Sequence, residues 1–206
     1  MQPHHSRLGL VLSFFLAGAV STAAHAQTDI AVSLYGAFSG ATAGNGTKES
    51  PSNAAGGLFE LRHIRNPLIG YEATYSFNSA NQAYSSTNPL PCVSTGCPVV
   101  PVSANAHEIT GDWLVSLHIA NIRPFALAGA GLLLNQPTGG QNNTTSSDKP
   151  VFVYGAGLDW RFLPHIGLRL QYRGNVYKAP DVATAFSSTG AFTHTAEPML
   201  GAYFRF

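Results

Sequence analysis

Three polar side chains within residues 112–118 have the types that hydrolyse an acyl ester. Ser116 would be the nucleophile, His118 the general base and Asp112 the carboxylate that orients the base. Side chains alternate between the two faces of a strand, so all three share one face of the strand predicted here. Whether they meet a substrate depends on the elements that hold them.

Two other patterns point to chemistry less directly. His194 and Glu197 are three residues apart, which places them on opposite faces of a strand and weakens them as an acid–base pair. Gly155-x-Gly157 lacks the following helix that a phosphate-binding loop needs, so the two glycines relieve crowding or let a strand bend. No histidine has metal-ligand spacing. The sequence predicts no catalytic, cofactor or metal site.

The start of the chain has the order of a secretory signal peptide. A short polar stretch with the single fixed charge of Arg7 precedes an apolar run at 8–20, and Ala24-His25-Ala26 fits the small-x-small cleavage pattern. The run is shorter than the roughly 20 apolar residues of a spanning helix. We expect residues 1–26 to be a signal peptide and 27–206 to be one domain.

Export determines how the two cysteines are interpreted. Cys92 and Cys97 are separated by four residues, and disulfides form in oxidising compartments outside the cytoplasm. Two sulfurs without a nearby histidine make a poor zinc site. We expect a Cys92–Cys97 disulfide that closes a small loop.

The composition is unusual for a soluble globular domain. Charged residues make up 10% of the chain and aromatic residues 11%, and there are 21 glycines. Soluble domains carry about 25% charged residues. The net charge of +1 offers no basis for nucleic-acid binding.

Period-two alternation of apolar and polar residues recurs in segments of about ten residues, which predicts strands. The predicted strands are 30–38, 57–65, 68–78, 106–118, 123–134, 151–162, 166–177 and 197–206. Tight turns near 66–67, 120–121 and 163–165 alternate with long polar connections at 39–56, 79–105, 135–149 and 178–194. The long connections are rich in Gly, Ser, Asn, Thr and Pro, and we expect them to be irregular. Strict alternation of short and long connections is typical of bacterial outer-membrane barrels.

The two faces of the strands differ in a way that favours a membrane barrel over a soluble one. The apolar faces end in aromatic residues, as expected of girdles at the bilayer interfaces: Tyr71, Phe77, Trp160, Phe162, Tyr172, Phe204 and Phe206. The polar faces collect equal numbers of acids and bases, which we expect to pair inside the barrel: Glu60, Glu72, Glu108, Asp112, Asp159, Arg62, Arg161, Arg169, Arg173 and Arg205. Strands of about ten tilted residues match the hydrocarbon thickness. The fold class predicted is an all-β, eight-stranded antiparallel up-and-down transmembrane barrel.

Two segments resemble a known family. Residues 154–173 show a Gly-x-Gly strand, the ending Trp160-Arg161-Phe162, a tight turn and the run Leu168-Arg169-Leu170-Gln171-Tyr172-Arg173. They are similar to the penultimate hairpin of the outer-membrane protein A and opacity-protein barrels, and 200–206 is similar to their terminal strand. The resemblance implies that Phe204 and Phe206 form the signal read by the barrel-assembly machinery. The peptidoglycan-binding domain of outer-membrane protein A is not expected.

These observations predict a monomeric protein of the cell outer membrane, surrounded by bilayer lipid and lipopolysaccharide, with a structural or surface-interaction role. It is not expected to be an enzyme. A lipid-A-modifying barrel enzyme and a narrow pore for small solutes remain the alternatives. The enzyme is disfavoured because Ser116 and His118 lie beside the turn at 120–121, on the periplasmic side, whereas lipid A lies in the outer leaflet. The sequence does not identify a ligand for the external loops.

Overall fold

The computed structural model describes residues 27–65, 68–88, 99–138, 140 and 142–206. The predicted signal peptide at 1–26 and the predicted disulfide partners Cys92 and Cys97 lie outside the described residues. Within the described residues, no helix has both the length and the apolar character needed to cross a membrane.

The described residues form twelve strands in two sheets. In chain order they are β1 (Gln27–Ser39), β2 (Thr42–Gly44), β3 (Thr47–Pro51), β4 (Ala54–Ile64), β5 (Ile69–Ser79), β6 (Gln82–Ser86), β7 (Val100–Val102), β8 (Ala104–Ser116), β9 (Ile122–Pro137), β10 (Ser147–Arg161), β11 (Ile166–Lys178) and β12 (Phe192–Arg205).

The eight long strands close into a barrel in the order β1-β12-β11-β10-β9-β8-β5-β4. Every neighbouring pair is antiparallel, and β1 pairs with both β12 and β4, which leaves no free edge. Closure satisfies all backbone hydrogen-bonding groups between strands, as a sheet in lipid requires. The predicted fold class, an eight-stranded antiparallel up-and-down barrel, is confirmed.

Side chains alternate strictly between the lumen and the outside of the barrel. Along β1, Val32, Leu34 and Phe38 are exposed on the outside, whereas Asp29 and Ser33 are buried. The outward faces carry aromatic residues near both ends: Phe38, Phe77, Phe152, Tyr154 and Phe192 towards the long loops, and Trp113, Trp160, Phe162, Phe204 and Phe206 towards the short turns. This is the apolar band with two aromatic girdles that a membrane barrel presents to lipid.

Two of the long connections contain strands, contrary to the expectation of irregular loops. The segments 39–56 and 79–105 contribute β2, β3, β6 and β7, which form a four-stranded sheet beyond the barrel. The β2–β3 hairpin turns at Asn45 and Gly46, whose φ angles are 49° and 78°. Positive φ at both central residues defines the type I′ turn that Asn-Gly favours between strands. This hairpin signal is present in the sequence.

The connection after β11 covers this second sheet. Val182 and Ala183 pack against Tyr84 and Val102, with Phe186 stacked on the Tyr84 ring at 5.7 Å. The Tyr84 hydroxyl donates to the Pro180 carbonyl oxygen at 2.7 Å. We call β2, β3, β6, β7 and residues 179–191 the cap. The cap lies at the long-loop end of the barrel.

Candidate functional site: the charged barrel interior and its cap

Three arginines without any solvent exposure hold together the part of the lumen nearer the short turns. Arg62 on β4 binds Glu72 on β5 through Nε at 2.9 Å and Nη2 at 2.7 Å. The same guanidinium lies 3.3 Å from Asp159 and 3.1 Å from Glu60. A planar guanidinium with several donors can bridge carboxylates in this way. Arg62 therefore links β4, β5 and β10 across the barrel.

Arg169 on β11 is the second centre of the network. It binds Asp159 in a fork, with Nε 2.7 Å from Oδ1 and Nη2 2.9 Å from Oδ2. Its other contacts are Asp29 on β1 at 3.1 Å and Glu60 on β4. One arginine thus joins three carboxylates from three strands. Removing it would leave all three without that partner.

Arg173 lies four residues after Arg169 on β11 and extends the network towards the cap. It contacts Asp112 on β8 at 3.1 Å and Glu72 at 3.3 Å, and it donates to the Thr110 hydroxyl at 3.0 Å. Buried charges are tolerated when they are paired and hydrogen-bonded. The three arginines and their carboxylates form one continuous array across the lumen.

Aromatic side chains fill space beside the array. The guanidinium carbon of Arg62 lies 4.1 Å from the Phe125 ring centroid, and that of Arg169 lies 5.2 Å from the Tyr203 ring centroid. Such cation–π contacts strengthen when they are removed from water. Gly157 faces Phe125 so closely that an added Cβ would lie 2.5 Å from the ring. The lumen at this level is packed by side chains, as eight strands allow.

The structure brings together seven of the ten charged residues expected in the interior: Glu60, Arg62, Glu72, Asp112, Asp159, Arg169 and Arg173. Glu108 is buried but bonds to Asn175 instead, accepting from Nδ2 at 3.0 Å. Arg205 is buried at the short-turn end and makes no ion pair within the described residues. The prediction that Arg161 pairs inside the barrel is wrong. Arg161 is half-exposed at the rim, and its Nη2 donates to Asn121.

Three buried charges in the lumen were not expected: Asp29, Arg123 and Glu197. Asp29 lies one residue before a predicted strand, and Arg123 and Glu197 are the first residues of theirs. The strand predicted from residue 30 begins at Gln27, and the strand predicted from residue 197 begins at Phe192. The expected equality of acids and bases therefore fails, because two of these three residues are acids. Period-two parity would have placed Asp29, one residue before the strand predicted at 30–38, and Glu197 in the lumen. Arg123 shares its face with Phe125 and Leu127, so that face looks apolar in the sequence.

The structure does not assemble a hydrolytic triad from Ser116, His118 and Asp112. Asp112 binds Arg173 and accepts from the Thr110 hydroxyl at 3.0 Å. The His118 ring lies 3.4 Å from Arg123, and the Ser116 hydroxyl has no hydrogen-bond partner among the described residues. His194 is bonded to Tyr154 at 2.9 Å on the outside of the barrel, whereas Glu197 is in the lumen.

The cap contains a buried carboxyl of its own. Glu49 on β3 is 3% exposed and faces Tyr84 across the β3–β6 pair. Burial raises the pKa of Glu49 to about 8, with a further upward contribution from Asp181, while the Tyr84 hydroxyl and Lys149 act in the opposite direction. Lys149 and Asp181 form an ion pair at 2.6 Å beside it. Glu49 is thus protonated in the folded cap near neutral pH.

The terminal aromatic residues lie on the outside at the short-turn end. Phe204 and Phe206 are both exposed, with their ring centroids 5.5 Å apart in an edge-on arrangement. The amide of Phe206 donates to the Thr28 carbonyl oxygen at 3.0 Å, which ties the end of the chain to β1.

Comparisons with known proteins agree with this architecture. The family model for the outer membrane protein beta-barrel domain matches residues 11–201. The outer membrane protein OprG from Pseudomonas aeruginosa has a TM-score of 0.59 at 11% identity, over 87% of this chain and 95% of that one. Neisserial surface protein A has a TM-score of 0.52 at 12% identity, over 90% of this chain and all of that one.

A third solved structure is the attachment invasion locus protein Ail of Yersinia pestis, in complex with the heparin analogue sucrose octasulfate. It has a TM-score of 0.51 at 18% identity, over 89% of this chain and 100% of that one. At these identities the three structures establish the fold alone. Comparison with curated proteins gives no significant sequence match.

Proposed function

The chain belongs to the outer membrane protein beta-barrel family, and we propose that this outer-membrane barrel is closed to solutes and acts at the cell surface through its cap. The observation that carries the proposal is the fully buried arginine array across the lumen. With the lumen filled, the surface available for an interaction is the cap. The role is a structural or surface-interaction one, with no catalytic step.

The closed lumen follows from the energetics of the array. Arg62, Arg169 and Arg173 have no solvent exposure and share five carboxylates. Breaking a buried pair by removing one partner costs about 3–5 kcal/mol. Opening a path for solutes would require several such pairs to separate at once. The narrow-pore alternative is therefore not favoured.

The cap has the properties of a presented surface. Its sheet is held on one side by packing of Val182 against Tyr84 and Val102. Strand β7 forms one edge of the sheet, and Val100 is exposed there. An ordered surface binds partners with less loss of conformational freedom than a disordered loop does. Order in the cap thus serves recognition.

The proposal includes how the protein reaches this place. Residues 1–26 direct export and are removed after Ala26, leaving 27–206 as the barrel domain. The barrel-assembly machinery inserts it by recognising Phe204 and Phe206. The mature protein is a monomer in contact with bilayer lipid and lipopolysaccharide, and it binds neither nucleic acid nor a cofactor. A Cys92–Cys97 disulfide closes a small loop between β6 and β7.

Two measurements on one pair of proteins test the proposal. The first protein is the intact chain, and the second replaces the β2–β3 hairpin, residues 42–51, by a short turn. In planar bilayers, neither should give large, steady single-channel currents. The second measurement is retention of cells on a heparin-coated surface, a probe suggested by the heparin analogue bound to Ail. Cells that display the intact chain should be retained more than cells without it, and cells that display the shortened chain should not.

Each outcome bears on a separate part of the proposal. Steady currents from the intact protein would show an open lumen and overturn the closed state. Equal retention of cells with the intact and the shortened chain would overturn attachment through the cap. Both proteins must shift mobility between unheated and boiled samples, since that shift shows that the barrel is folded.

A further inference from the structure

Two carboxylates in the half of the lumen nearer the cap have no arginine partner. Glu108 on β8 and Glu197 on β12 are 4% and 3% exposed, and neither forms an ion pair within the described residues. The facing base, Arg173, is engaged by Glu72 and Asp112. This part of the lumen therefore holds two carboxyl groups without a directly paired base within the described residues.

The two carboxylates line a cavity between the arginine array and the cap. Its volume is about 30 Å³, measured as space for the centres of water molecules, which is room for one or two of them. Asn175, which is 1% exposed, lines the same cavity. Three oxygens here have no hydrogen-bond partner among the described residues: Glu108 Oε1, Glu197 Oε2 and Asn175 Oδ1.

The hydrogen bonding of Asn175 shows that the cavity lacks a donor or cation for its oxygens. Its Nδ2 donates to Glu108 Oε2 at 3.0 Å, so its amide oxygen remains as an acceptor without a donor. A buried acceptor without a partner is costly, and a buried carboxylate without a cation is more so. Unsatisfied oxygens contributed by β8, β11 and β12 line the same cavity. A cation would satisfy all of them together.

We propose that this cavity is a binding site for a divalent metal cation of the calcium type. The donors are oxygens only, which hard cations prefer, and the two carboxylates match a charge of +2. Calcium accepts irregular geometry and completes its coordination with carbonyl oxygens and water, whereas magnesium demands a near-ideal octahedron. Glu108, Glu197 and Asn175 would supply the protein ligands.

The site also reaches the cap. Gln82 at the start of β6 lines the cavity, and its Oε1 is buried without a hydrogen-bond partner among the described residues. An amide oxygen on a cap strand can join the coordination of the cation. Metal binding then ties the cap to the barrel wall. This consequence is independent of what the cap binds outside the cell.

The test uses the full mature chain, purified and folded in a nonionic detergent without lipopolysaccharide, so that no lipid phosphate binds the cation. Unfolding on heating is followed in excess chelator and in excess Ca²⁺ at the same heating rate. We expect Ca²⁺ at about 100 times its Kd to raise the midpoint by roughly 5–10 °C. In the E108Q/E197Q variant, which keeps volume and removes both charges, the response should be lost.

The control D148N removes an exposed carboxylate outside the lumen and should respond to Ca²⁺ as the unmodified chain does. A second readout is Tb³⁺ luminescence sensitised by Tyr177, which lines the cavity. The unmodified chain should show it, and Ca²⁺ should compete it away. Identical midpoints in chelator and Ca²⁺ for the unmodified chain would overturn the proposal, as would an undiminished response in E108Q/E197Q.

Discussion

Arg62 lies directly opposite Glu72 in the β4–β5 register and binds that carboxylate through two nitrogens, Nε and Nη2. The register places the two residues opposite each other, so their side chains meet across neighbouring strands. Arg169 and Asp159 repeat the arrangement in the β10–β11 pair. Each strand pair thus carries one directly opposed ion pair into the lumen, and the further contacts of the arginines join the two pairs.

Replacing Arg169 by Met should destabilise the barrel strongly. The substitution keeps the volume of the side chain but leaves Asp29, Glu60 and Asp159 without that partner. We expect a loss of about 3–5 kcal/mol in the free energy of unfolding. The measurement is urea unfolding of folded protein in lipid vesicles, followed by the mobility difference between unheated and boiled samples.

The matched control is Arg161→Met in the same hairpin. Arg161 is half-exposed and, among the described residues, its side chain donates to Asn121 alone, so its replacement should change the free energy of unfolding by less than about 0.5 kcal/mol. Equal effects of the two substitutions would show that the buried array does not stabilise the fold.

Adding a methyl group at Gly157 should disturb the packing of the lumen. The Cβ of Gly157→Ala would lie 2.5 Å from Phe125 Cζ and 2.7 Å from the Leu170 carbonyl oxygen. Overpacking of this kind costs about 1–3 kcal/mol. Phe125→Leu makes room on one side, so the double variant should lose less stability than the sum of the two single variants. Strict additivity in this double-mutant cycle would argue that the ring and the glycine are not in contact.

Much of the barrel could be predicted from the sequence because alternation is a local property. Leu200, Ala202, Phe204 and Phe206 fall on one face whatever the partner strand is, and the structure exposes all four. The same parity places Glu60 and Arg62 in the lumen. Alternation fixes the face of each residue but does not give its partner.

Other features depend on distances that parity does not contain. The face of β9 with Phe125, Leu127 and Leu133 points into the lumen, and the face with the alanines between them points outward. Which carboxylate each arginine meets depends on strand register and on the stagger of the closed barrel. The order of the cap arises from the packing of residues 179–191 on β6, a contact between segments about 100 residues apart.

Deleting Phe206 should lower the yield of protein in the outer membrane. The deletion removes the terminal aromatic residue and the hydrogen bond from its amide to Thr28, which closes the last strand against the first. We expect more protein degraded in the periplasm and less in the outer-membrane fraction, measured by fractionation and immunoblotting. Phe162→Ala is the control, since it removes an exposed aromatic at the same end without touching the terminus. If both variants assemble equally well, Phe206 has no special role in assembly.

The stability of the cap should fall as pH rises through about 8. The pKa of Glu49 in the folded cap is about 8, above the usual value of 4.5 that applies when the cap is open. The folded cap therefore binds the proton more tightly. This contribution is fully present below pH 4.5, declines above it, and is lost as pH rises through 8, where closing the cap requires burial of the charge.

Hydrogen exchange of the β3 and β6 amides at pH 6 and pH 9 measures this effect, after correction for the intrinsic dependence of exchange on pH. We expect protection to be lower at pH 9 in the unmodified chain. The variant Glu49→Gln is neutral at every pH and should keep equal protection at both values. The long strands of the barrel provide an internal reference, because their protection does not depend on Glu49. If Glu49→Gln retains the full pH dependence, Glu49 is not the titrating residue and this account of the cap is overturned.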